Sequence, residues 1–147
     1  MLRGGGTAAE LRLRRKAREP LRTWDYQELV QGVSLFKGTA LVQILEEMSN
    51  RKGAEYTDAL ADAIAKVPDD VKPAVRGLLA NRLTRMTDDT LRAKFTDPNA
   101  EVRAAAAMAV GYKGSPLYKE LAAALRDRSL LVATNAHDVL VLSLIHI

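Results

Sequence analysis

The chain contains no cysteine, which excludes disulfides and thiolate zinc sites. Aromatic residues make up only 5%, with one tryptophan. Val, Ile, Tyr and Phe are the strand formers, so a chain dominated by alanine and leucine is expected to pack helices rather than a sheet. No apolar run reaches the ~20 residues that a membrane-spanning helix needs. Residues 1–18 lack the apolar h-region of a secretory signal. Histidine occurs twice and never in an HExxH arrangement. There is no GxGxxG and no Walker loop; Gly4, Gly5 and Gly6 make too short a run and follow no strand. No serine sits in a nucleophile motif.

The 147 residues are 48% apolar, enough for one domain with a core. The net charge of +4 is unevenly placed. Residues 1–22 hold seven basic and two acidic side chains, a balance of +5, so the remainder stands at −1. Residues 1–22 are therefore expected to be a basic, flexible arm, and residues 23–141 a helical domain.

Two copies of one pattern lie thirty positions apart. Residues 91–110 read LRAKFTDPNAEVRAAAAMAV, and residues 121–140 read LAAALRDRSLLVATNAHDVL. The offset aligns Leu91 with Leu121, Asp97 with Asp127, Val102 with Val132 and Ala106 with Ala136. A fixed period of this size marks a solenoid of helix pairs.

Elsewhere, apolar residues at helical spacing predict helices over 24–36, from Thr39 to Asn50, over 54–67, and from Asp70 to Met86. Thr39, then Asp69 or Asp70, are expected to cap two of them. Pro73 fits a first turn. Gly77 should cost about 1 kcal/mol relative to alanine, which a close helix–helix approach would explain. Thr87 caps a short helix, with Asp88 and Asp89 in its first turn. Asp97-Pro98 and Ser115-Pro116 read as cap-and-proline restarts, and Ser129 restarts the last helix. Val102, Ala105, Ala106 and Ala109 share an inward face, Leu117, Leu121 and Leu125 form a stripe, and Trp24 is expected to close one end of the core.

The segment LRAKFTDPNAEVRAAAAMAVGYKG resembles a HEAT repeat: a leucine-bearing first helix, an Asp-Pro turn, the Val102-Arg103 pair, and an alanine-rich second helix ending in glycine. Residues 117–140 look like the next repeat, with Arg128 where proline is common and Ala133 where arginine is common. YTDALADAIAKVPDDVKPAVRGLLANRLTRM, residues 56–86, is similar to the helical lead-in of bacterial HEAT-repeat proteins of planctomycete type. The resemblance runs from Lys52 to Leu140. It implies an all-α, HEAT-like α-solenoid of antiparallel helix pairs that acts as a protein-binding scaffold, with an arginine such as Arg103 tied to the repeated aspartates. The helix-pair pattern is also similar to the repeats of phycobilin lyases. Residues 142–147, LSLIHI, resemble the translation of a transposon adapter used in sequencing libraries, and are expected to be a non-native tail after a truncated frame.

The repeated aspartates Asp97 and Asp127 are read as helix caps rather than as an acid–base pair or metal ligands. His137 stands beside Asp138, but neighbours on a helix do not face each other. No residue is assigned a catalytic, cofactor-binding or metal-ligating role, and no cofactor is expected. The expectation is a non-catalytic scaffold for an unidentified protein partner, with Arg92, Lys94 and Arg103 as its candidate binding surface. The alternative is nucleic-acid binding by Arg76, Arg82, Arg85, Arg92, Lys94 and Arg103 together with the arm. Asp88, Asp89, Asp97 and Glu101 interleave with those residues and weaken a basic stripe.

Overall fold

The computed structural model describes residues 6–145, and the regular elements among them are all helical. In chain order they are α1 (Ala8–Lys16), a 3-10 turn (Leu21–Thr23), α2 (Tyr26–Leu35), α3 (Gly38–Asn50), α4 (Ala54–Lys66), α5 (Lys72–Leu83), α6 (Asp88–Lys94), α7 (Ala100–Lys113), α8 (Tyr118–Ala124) and α9 (Leu130–Ile145). The all-α expectation holds. Arg3, Gly4 and Gly5 of the basic arm, and His146 and Ile147 of the tail, lie outside the described residues.

The segment expected to be a flexible arm contains α1. Thr7 accepts from the Glu10 N–H at 3.0 Å, and the Glu10 carboxylate accepts from the Thr7 N–H at 3.3 Å, a reciprocal cap. Leu13 is only 2% exposed. Glu28 of α2, itself buried, receives Arg12 at 3.1 Å and Lys16 at 3.8 Å. One leucine and one buried carboxylate dock α1, with no broad apolar face. Glu28 also closes the cap of α2 by accepting from the Asp25 N–H at 2.8 Å. Trp24 is buried against Phe36, ring centres 6.0 Å apart, and its Nε1 has no hydrogen-bond partner among the described residues.

Several helix starts differ from expectation. α3 begins at Gly38, whose φ of +60° turns the chain directly into the helix, so Thr39 lies inside it and makes no cap. Val71 precedes α5, which has no side-chain cap, so neither Asp69 nor Asp70 fills that role; Pro73 is in the first turn as expected. Ser115 donates to Asp88 at 2.7 Å instead of capping α8. Thr87 does cap α6. A Cβ added to Gly77 would meet nothing within 4 Å, so no close approach explains that glycine. Leu125 is 42% exposed and falls outside the stripe of Leu117 and Leu121.

In the second half, α7 packs against both α5 and α9. Arg76 of α5 donates to Glu101, in the first turn of α7, at 3.0 and 2.8 Å. Asn135 of α9 donates to the Ala104 carbonyl at 3.2 Å, and Val139 lies against Gly111 farther along. With Lys113 at the end of α7 donating to the Met86 carbonyl just past α5, these pairings make α5, α7 and α9 run side by side in one direction. Meanwhile α4 packs on α5, α6 on α7 and α8 on α9. From Val102 to Val110 every residue of α7 except Met108 is buried. A single inward face was too narrow a reading, because α5 and α9 flank α7 while α4 and α6 also touch it. Its alanines permit this close approach from several sides.

Arg82 fastens the first half. Arg82 is 9% exposed, and its guanidinium donates to the Thr57 hydroxyl at 2.8 Å, to the Ser49 carbonyl at 3.0 Å, to the Gly53 carbonyl at 2.7 Å and to the Arg51 carbonyl. Burial, with Arg85 nearby, pulls the Arg82 pKa down.

Candidate functional site

The repeated turns between α6 and α7 and between α8 and α9 hold the densest polar arrangement near the sequence-expected residues. Asp97 accepts from the Asn99 N–H at 2.8 Å, and Asp127 accepts from the Ser129 N–H at 2.8 Å. Asn99 then accepts from the Glu101 N–H at 2.8 Å to cap α7, and the Ser129 hydroxyl faces the Val132 N–H at 3.5 Å in α9. Each aspartate therefore shapes the turn one step ahead of the cap and is not the cap itself. The intervening residue, Pro98 or Arg128, stays outside the helix.

Arg103 joins the two turns. Its Nε and Nη2 donate to the Asp127 carboxylate at 2.8 and 3.1 Å, and its Nη1 donates to the Asp97 and Pro98 carbonyls at 2.8 and 3.1 Å. The bonds from Arg103, helped by the Ser129 N–H, hold the Asp127 carboxyl below the usual range against the opposing effect of burial. The reciprocal bond to Asp127 raises Arg103. Such a fork-to-fork pair fixes geometry as well as charge. A second tie joins α6 to the end of α7. Asp88 accepts from Ser115 at 2.7 Å and from Lys113 at 3.1 Å, and these bonds lower its pKa, the hydroxyl bond most.

The structure separates the three residues expected to share a surface. Arg103 is 6% exposed and its guanidinium bonds lie within the chain, so it adds little to that surface. Arg92 is exposed on α6, where Asp89 at 2.7 Å and Glu120 at 3.2 Å hold it; the bond to Asp89 does most to raise its pKa. Lys94 is half-buried in the last turn of α6 and makes no ion pair among the described residues. The wider basic cluster is similarly divided, since Arg76 pairs with Glu101 and Arg82 holds carbonyls.

Sequence reasoning gave Arg126 and Arg128 no functional role. They border a cleft of about 440 Å³ with Thr96, Asp97, Pro98, Arg103 and Asp127. Both are exposed and unpaired among the described residues. The run RDR around Asp127 was the available signal. His137 and Asp138 also differ from expectation: Nδ1 and Oδ1 are 3.3 Å apart, because both side chains swing outward into solvent. Among the described residues, no three His, Asp or Glu side chains converge as a metal cage, and no helix is long and apolar enough to cross a membrane. Comparison with protein-family models, with curated proteins and with solved structures finds no match.

Proposed function

We propose that the chain is a HEAT-like α-solenoid of antiparallel helix pairs that serves as a non-catalytic scaffold for a protein partner. The observation that carries this reading is the turn built twice. Asp97-Pro98-Asn99 and Asp127-Arg128-Ser129 make the same backbone bond thirty residues apart, and Arg103 ties one to the other. Repeated positions serve the stack, which leaves recognition to exposed side chains along it. Arg92 and Lys94 on α6 remain the candidate contacts.

Affinity capture with the intact chain and with an Arg92→Glu/Lys94→Glu variant tests the proposal. A specific protein should be retained by the first and lost from the second. Identical capture by both removes those residues, and turnover of a small molecule by the purified chain overturns the scaffold reading.

One observation favours nucleic acid as a second reading. Arg14, Arg15, Arg18 and Arg22 are exposed and unpaired among the described residues. Duplex DNA binding that survives ~200 mM salt would favour this alternative, since counterion release makes a few surface contacts fade steeply with salt.

A further inference from the structure

One side of α7 is covered by α9. Asn135 reaches the Ala104 carbonyl and Val139 lies against Gly111, with Ala107 buried between them on the same side. The matching side of α9, thirty residues on, carries Leu130, Thr134, His137 and Val141, and all four are exposed. Leu130 is 81% and Val141 39% exposed.

Two features of this open face select what covers it. The first is bulk. A Cβ on Gly111 would stand 3.0 Å from Val139, so α9 lies on α7 only because that position is glycine. On α9 the matching position is a valine, and a histidine stands where α7 has Ala107. A further helix therefore cannot lie on α9 as closely as α9 lies on α7. The second feature is spacing. Positions 130, 134, 137 and 141 fall at intervals of four, three and four, the seam of a two-stranded coil. That series reads the same in both directions. Two α9 helices laid antiparallel match each other: Leu130 of each copy meets Val141 of the other, and Thr134 meets His137. Asp138 is the one formally charged side chain of α9, so no lysine or arginine of that helix stands in the way. Arg126 and Arg128, exposed and unpaired among the described residues, precede α9 and fall beside the last turn of the second copy's α9, where helix carbonyls favour cations.

We infer that a second copy of this chain docks on α9, the two helices packing antiparallel about a two-fold axis between residues 134 and 137. The interface uses the same patch on both copies, so it closes at a dimer. It needs neither Arg92 nor Lys94.

The chain has no cysteine, so introduced thiols report the pairing without background. Leu130→Cys and Val141→Cys chains are made separately; both positions are exposed, and helical circular dichroism verifies each fold. In the antiparallel pair, like positions stand roughly 16 Å apart along the axis, beyond the reach of a disulfide at about 7 Å. Under mild oxidation each variant alone should stay uncrosslinked, and an equal mixture of the two should give a covalent dimer. Cross-linking of Leu130→Cys alone, as a parallel pair would show, overturns the proposal. So does a mixture that fails to cross-link, or a parent chain that sediments as a series of species larger than a dimer.

Discussion

Arg103 carried two expectations, a tie to the repeated aspartates and a partner contact, and its bonds to Asp127 bear out the first. The Val102-Arg103 pair marks the repeat, and a charged side chain in such a motif suggests an exposed contact. Burial reverses that. Removing one partner of a buried, doubly bonded pair leaves the other without compensation, so Arg103→Ala should lower stability by about 3 kcal/mol in urea unfolding. A loss below about 1 kcal/mol would place the pair with ordinary surface bridges. The pairing also predicts acid sensitivity. Asp127 is held below the ordinary carboxylate range in the fold. Its contribution is complete above the unfolded value of about 3.9 and is lost as pH falls through the lower folded value. The stability gap between the parent chain and Asp127→Asn should therefore narrow on acidification below about pH 4. A constant gap would show that charge is not what Asp127 contributes. Asp97 and Asp127 were legible as turn residues, while the tie from Arg103 to Asp127 was expected only through the family resemblance, because a bond spanning twenty-four positions leaves no local pattern.

At the scale of the element, periodicity located the bodies of the helices better than their beginnings. The stripe of Tyr56, Leu60 and Ile64 is buried in α4 as its spacing requires. Starts depend on one or two backbone angles, and Gly38 at φ +60° displaced the expected cap at Thr39. The glycines divide along the same line. A methyl on Gly77 meets open space, so Gly77→Ala should stabilise α5 by roughly 0.5–1 kcal/mol through helix propensity alone. A methyl on Gly111 would lie 3.0 Å from Val139, so Gly111→Ala should push α7 from α9 and lower the thermal midpoint. Opposite signs are expected in one thermal-melt series. A destabilised Gly77→Ala would show that α5 has a neighbour at that position. Which glycine faces a helix is a matter of packing, and the sequence around Gly77 offered no sign of it.

For the whole molecule, α7 and α9 meet different surroundings. Ala104 and Ala107 are buried in α7, while their counterparts thirty residues on, Thr134 and His137, are exposed in α9. Beyond them Leu142, Leu144 and Ile145 are 56%, 70% and 68% exposed. An apolar surface of this kind drives association. Sedimentation velocity should show concentration-dependent self-association of the chain, reduced by Leu144→Lys with Ile145→Lys. A monomer at every concentration would contradict this. The repeat made α6 to α9 legible as paired helices. It said nothing of the packing around α3, which lies outside the repeated residues.

The Arg82 guanidinium has a mechanical consequence. By gripping carbonyls at Ser49, Arg51 and Gly53 and the Thr57 hydroxyl, it clasps the bend between α3 and α4 from a third helix. A hairpin held only by its own turn can open like a hinge, whereas this one is pinned from the side. Pulled from its two ends, the chain should release α3, α4 and α5 together in one step. In an Arg82→Ala chain that step should split in two.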